Sequence, residues 1–180
     1  MKKPLNTRQM ILVAVLLALI LACGAVFAYM FMRTDAKSTQ FVPAKVACEV
    51  TEEFDGTNKS KLVVKNTGSI DAYLRIRLVT YWVDGEGNIA AKSSEMPSFT
   101  LDTDWLSGSD NTYYYKSPVA PGSSTSDLLA SDITLQEEDG YKQVIEVFAE
   151  AIQSKPAAAA VNSWGVTIDA NGTITAVPTT

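Results

Sequence analysis

The chain has 180 residues, a formal net charge of −5, and no histidine. That composition removes Ser-His-Asp and Cys-His nucleophile systems, HExxH zinc sites and histidine acid–base chemistry. Its first 32 residues carry three bases and no acid, so the remainder has a net charge of −8 and lacks the basic footprint that nucleic acid or an anionic membrane surface requires.

After "MKKPLNTR" comes "MILVAVLLALILACGAVFAYMFM", residues 10–32, without a charged side chain. As a helix these 23 residues reach across a hydrocarbon core of about 30 Å. Bases before the run place the N-terminus in the cytoplasm and the rest outside. The segment is a signal peptide or a membrane anchor: its length suits an anchor, whereas "VFA" before Tyr29 offers signal peptidase a site at Ala28 and Tyr29. "ILAC" resembles a lipobox at Cys23 only weakly, because Leu21 and the apolar stretch after the cysteine fit a lipoprotein tether poorly.

Residues 33–45 form an N-terminal extension, followed by a domain over 46–165 and a hairpin or tail over 166–180. From residue 42 the apolar period is two. In "AKVACEV", Ala44, Val46, Cys48 and Val50 share a face, with Cys48 a small core residue. As the only cysteine outside the apolar run, Cys48 has no disulfide partner in the domain and cannot build a metal cluster. "SKLVVK" sets Leu62 and Val64 opposite Lys61 and Lys65, and "NTG" (66–68) is read as a turn that exploits positive φ.

The stretch "AYLRIRLVTYW" alternates Ala72, Leu74, Ile76, Leu78 and Trp82 inward against Tyr73, Arg75, Arg77, Val79 and Tyr81 on a wet face. Arg75 and Arg77 are a candidate surface charge pair, able to clamp an anion or to pair across strands with acids such as Glu52 or Glu53. "DGEGN" is a turn, and "PSFTLD", "TYYYKSPV" and "SDLLASDITL" read as strands. "YKQVIEVFAEAIQ" (141–153) fits a helix stripe and a strand face equally. "PAAAAVNSWG" is the best short helix, stopped by Gly165. In the tail, Asn171-Gly172 predicts a two-residue type I′ hairpin.

Two site-like groupings remain. Asp102, Asp104 and Asp110 are oxygen ligands of the kind calcium takes, but Gly108 is misplaced for an EF-hand loop, which leaves them as turn and capping residues. The tyrosines 113–115 with Trp82, Trp105 and Trp164 form either a glycan-stacking platform or interior packing. The fold class is therefore all-β, an antiparallel jelly roll or β-sandwich with one short helix, preceded by the N-terminal hydrophobic helix.

Four stretches in order, "AYMFMRTDAKSTQFVPAKV", "VVKNTGSIDAYLRIRLVTYW", "YYYKSPVAPGSSTSDLL" and "EVFAEAIQ…AVNSWG", resemble the TasA/camelysin family. These are secreted Gram-positive matrix proteins processed by the signal peptidase SipW, and they include BsaA-like clostridial members. The resemblance implies a jelly-roll domain, a strand at 141–153, and an extracellular biofilm-matrix or cell-surface role. It also implies assembly by strand addition, with Tyr29–Val46 as candidate donor and Thr39, Gln40, Phe41 and Val42 at its centre. The expected partners are further copies or related matrix subunits, and the membrane through residues 10–32 if that segment stays uncleaved. The metalloprotease label attached to camelysin does not transfer, since no histidine is present to bind zinc. No cofactor and no enzymatic activity are expected. The alternative is a monomeric, membrane-anchored adhesion or ligand-binding module at the cell surface.

Overall fold

The computed structural model describes residues 6–33 and 43–179, with side chains of the first helix described as far as Val26. That helix, α1 (Thr7–Arg33), is long and apolar enough to cross a membrane: Thr7–Val26 has mean hydropathy 2.7 and is fully unburied. It belongs to the first of two compact units, Met1–Val42 and Pro43–Thr180.

The second unit is built around its two longest strands, β3 (Ala72–Val83) and β8 (Tyr141–Gln153), paired antiparallel from Ala72–Gln153 to Val83–Lys142. They form the centre of a five-stranded antiparallel sheet whose order is β4-β5-β3-β8-β7, with β4 at Trp105–Ser107, β5 at Thr112–Tyr115 and β7 at Glu137–Glu138. A three-stranded antiparallel sheet orders β1 (Cys48–Phe54), β2 (Asn58–Asn66) and β6 (Ile133–Thr134). Leu62 and Val64 from this sheet share one buried cluster with Leu74, Ile76, Leu78 and Ile145 from the larger one. Burial of a leucine or isoleucine side chain contributes about 2 kcal/mol, so this common core drives the curling of the sheets toward each other.

The ambiguous stretch 141–153 is thus a strand. Its pattern is two-faced because both of its faces are apolar. Ile145, Val147, Ala149 and Ala151 look into the main core, while Ile152 packs on a second cluster of Tyr73, Tyr114, Ala160, Trp164, Val166 and Ile174. That second cluster lies under helix α2 (Ala158–Trp164) and the short hairpin of β9 (Thr167–Ile168) and β10 (Ile174–Ala176). As expected, Gly165 stops α2: it is left-handed at φ 67°, and its N–H donates to Val161 O at 3.0 Å.

Several local readings are corrected. Only Gly172 has positive φ (82°) in the tail turn, so Asn171-Gly172 is not type I′. Instead Gly172 N–H donates to Asp169 O (3.1 Å), and Asp169 Oδ1 accepts from Asn171 and Thr173. This is a three-residue loop with a glycine bulge. "DGEGN" repeats the arrangement: Gly87 N–H donates to Asp84 O, and Asp84 Oδ1 accepts from Glu86 and Asn88. "PSFTLD" contributes only the single bridge Leu101–Leu129, and "SDLLASDITL" only its half of that bridge and the two residues of β6. Residues 43–47 are outside any strand, and β1 begins at Cys48, leaving Ala44 and Val46 exposed.

"NTG" is a junction rather than a positive-φ turn. Asn66 is fully buried. Its amide donates to Ile70 O and Val119 O (both 2.8 Å), its side-chain oxygen accepts from Gly68 N–H (2.9 Å), and its backbone bonds Ser123 and Gly122. Gly68 is required by proximity: a Cβ there would meet Lys45 O at a separation no real contact tolerates. The same approach lets Thr67 N–H donate to Ala47 O and Ser69 N–H to Lys45 O.

Candidate functional site

Of the residues singled out by sequence, Ala28 and Tyr29 fall within the unbroken backbone of α1. Thr39, Gln40, Phe41 and Val42 lie outside the described residues. Arg75 and Arg77, two apart on β3, prove unlike each other. Arg77 is exposed. Arg75 is held: its side chain is 22 % exposed and pairs with Glu150 of β8 at 2.7 Å. Its guanidinium also lies 4.7 Å from the Trp164 ring centre and 5.7 Å from that of Tyr114, and Nη1 donates to Tyr114 Oη at 3.3 Å.

Two expectations are overturned here. The wet face of β3 is dry over its first half, because α2 and the β9–β10 hairpin cover Tyr73 and half-cover Arg75. The acids Glu52 and Glu53 do not partner the arginines, for they lie on β1 and take Lys59 (2.8 Å) and Lys61 (3.0 Å) of the neighbouring strand. Arg75 is a fastener between β3, β8 and α2 rather than half of an anion clamp.

The aromatic platform also dissolves: Trp82, Trp105 and Trp164 are all buried, as are Tyr113 and Tyr114. Asp102 works as a turn residue. Its Oδ1 accepts from Asp104 N–H and Ser126 Oγ, both at 3.0 Å, which holds its carboxyl below the usual carboxylate range, the Asp104 bond contributing most. Among the described residues no three acids or cysteines are gathered in a way that could hold a metal ion.

The most distinctive feature was not visible in the sequence: it is a slot between β1 and β8. Leu62, Val64 and Asn66 of β2 turn their N–H groups away from β1, to Asp127 Oδ1 (2.9 Å), Thr125 Oγ1 (3.1 Å) and Ser123 O (2.9 Å). In an antiparallel ladder the alternate residues then face β1, so β1 bonds through Glu49, Thr51 and Glu53, and the backbone of Cys48, Val50 and Glu52 points the other way.

β8 has an open edge of the same kind. Ala72 and Leu78 of β3 donate to Val119 O and Asn111 O on the far side. β3 therefore meets β8 through Ile152, Glu150, Phe148 and Glu146, and the backbone of Ile145, Val147, Ala149 and Ala151 points outward. Gln136 O takes the Gln143 N–H at 2.8 Å on that outer side; beyond it, no hydrogen bond among the described residues ends on this edge.

These two unpaired edges lie against each other. The cavity between them, about 420 Å³, is lined by Val50, Glu52, Ile145, Glu146, Val147 and Phe148. Half-buried Cys48, Val50, Val147, Ala149 and Ala151 flank the core at this point. Burial, and secondarily the charge of Glu150, pushes the Cys48 thiol up. Chemically the slot offers backbone donors and acceptors over an apolar floor, with carboxylates at its rim. Comparison of the chain with protein-family models, with curated proteins and with solved structures finds no match.

Proposed function

We propose that the protein is a non-enzymatic extracellular structural subunit, a jelly-roll or β-sandwich unit of a matrix fibre or surface layer of the TasA/camelysin kind, assembling by β-strand addition. The observation that carries this reading is the slot between β1 and β8. Exposed strand edges invite pairing, and proteins usually cover or blunt them. Here two long edges stand open side by side above an incompletely covered core, the arrangement in which an added strand gains backbone bonds and alternate side-chain seats together.

The donor in this reading is the extension of another copy, centred on Thr39–Val42. Residues 36–44 carry Lys37 and no acid, which complements Glu52 and Glu146 at the slot. Its C-terminal limit is Ala44 rather than Val46, since Lys45 and Ala47 are bonded within their own subunit to Ser69 and Thr67.

Ala149→Pro tests the mechanism. The Ala149 N–H points out of the sheet edge, so proline removes a donor that an added strand needs and leaves the β3 ladder intact. Filament formation by the mature protein is expected to disappear while the subunit keeps its circular dichroism and melting temperature. Unchanged assembly would overturn strand addition at this edge.

One observation favours the second reading, a monomeric anchored module. α1 continues unbroken through Ala28 and Tyr29 to Arg33, and a tethered extension cannot leave for another subunit. Mass spectrometry of the surface-exposed protein separates the two: an intact Met1 sinks the donor mechanism and supports the anchor.

A further inference from the structure

The outer face of the β3–β8 pair is covered over one half only. Beyond Arg75, the cross-strand pairs Arg77–Phe148, Val79–Glu146 and Tyr81–Val144 continue the same row with neither α2 nor the hairpin among the elements packed on them. Phe148 is 50 % exposed at the middle of the longest strand pair, Arg77 and Glu146 are exposed, and Val79, Tyr81 and Val144 are half-exposed. The ion pairs among the described residues involve neither Arg77 nor Glu146. Among the described residues Glu146 accepts only the Tyr81 hydroxyl, at 2.9 Å.

We infer that this bare half-sheet is a docking face for a second copy of the same chain, packed face to face about a two-fold axis. The patch is complementary to itself. Arg77, Phe148, Val79 and Glu146 occupy the corners of a rectangle about 4.8 Å by about 6.7 Å on one sheet face, and sheets pack about 10 Å apart. The two charges sit on one diagonal and the two apolar groups on the other. A two-fold axis along the Phe148–Val79 diagonal lays each Arg77 over the other copy's Glu146. It also stacks Phe148 and Val79 on their own equivalents.

The strands then cross steeply, one of the established modes of sheet-on-sheet packing. An isologous contact needs a patch that complements itself, and this quartet does so with two ion pairs around an apolar centre. The face adjoins the slot: Glu146 and Phe148 also line the slot cavity, whereas Arg77 and Val79 lie one strand further in, on β3. Strand addition takes the backbone edge of β8 and this contact its outward side chains, so Arg77, which does not line the slot, is the position that tells the two apart.

Charge exchange within the full chain tests the inference. Sedimentation of the detergent-solubilised protein is expected to give a reversible dimer. Arg77→Glu and Glu146→Arg should each weaken it at least about tenfold, and Phe148→Ser should abolish it. The double variant R77E/E146R should restore dimerisation, because only a partner carrying the same exchange regains both pairs. Circular dichroism on each variant separates misfolding from lost contact, and Ala149→Pro should leave this dimer unaffected. A monomeric wild type, single reversals without effect, or a double variant no better than its parents would each overturn the proposal.

Discussion

The Arg75 guanidinium lies 4.7 Å from the centre of the Trp164 ring while its Nη2 stands 2.7 Å from Glu150 Oε2. One side chain thus ties the middle of the main sheet to the helix that caps its outer face. Arg77, two residues on, has no comparable partner among the described residues. Removing Arg75 gives up a partly screened ion pair and a cation–π contact, together about 1–2 kcal/mol. Arg75→Ala is therefore expected to lower stability by about that amount in urea titration, with a loss of Trp164 fluorescence signal before the main transition. Arg77→Ala should stay within about 0.5 kcal/mol of the parent, as surface changes usually do. Equal effects from the two would contradict the division drawn between them.

Gly68 sets how closely the incoming chain can lie on the "NTG" junction. Adding a methyl group pushes against the Lys45 carbonyl, which is backbone and cannot swing aside. Gly68→Ala should cost about 1–3 kcal/mol and release Lys45–Ala47 from Thr67–Ser69. Hydrogen exchange at Thr67 and Ser69 amides reads the second effect directly: protection equal to wild type would show that the approach is not needed.

Cys48 reports on the slot. Burial and the nearby Glu150 raise its thiol above the ordinary range, so at neutral pH it is protonated and a poor nucleophile. Its contribution to stability is full below the ordinary thiol value of about 8.5 and is lost as pH rises through the higher folded value. Iodoacetamide should modify it several-fold more slowly than free cysteine at pH about 8, and assembled material should react more slowly still. Labelling as fast in assemblies as in monomers would place the added strand elsewhere.

Asp84 anchors the loop after β3, and its carboxyl is held below the usual carboxylate range by the backbone N–H of Asn88 first and the Asn88 side chain next. A depressed acid stabilises the fold above its unfolded pKa of about 3.9, and the benefit fades as pH falls through the folded value. Asp84→Ala should therefore melt below the parent at pH about 7, with the gap closing toward pH about 2. A gap independent of pH would assign the effect to something other than the carboxylate.

How much of this was legible in the chain varies with the range of the forces involved. The alternation that buries Leu62, Val64, Leu74, Ile76 and Leu78, and the glycine that stops α2, are local signals and could be read directly. Residues 141–153 could not, because Tyr141, Val144, Ile145, Phe148 and Ile152 fit a helix stripe while Ile145, Val147, Ala149 and Ala151 fit a strand face. What selects the strand is pairing with β3, a partner some seventy positions earlier. The resemblance to matrix proteins indicated the same outcome, though the residues themselves did not.

The candidate sites were read less well. Arg75 and Arg77 look equivalent in "LRIRL", and only the arrival of α2 almost ninety residues later makes one a fastener and leaves the other free. Local alternation fixes which side of a strand each residue occupies. It carries no information about what will cover that side.

By itself the sequence determined the apolar N-terminal helix, the β-rich character of the rest of the chain, the absence of histidine chemistry and the inward face of β3. Each depends on composition or on spacing of a few residues. The tertiary structure alone decided that β1 and β8 end as neighbouring open edges, that Asn66 is saturated with bonds at a junction, and that one half of the outer sheet face is left bare. These outcomes depend on which distant strands pair and in what register, and backbone hydrogen bonding is nearly blind to the side chains through which a sequence is read.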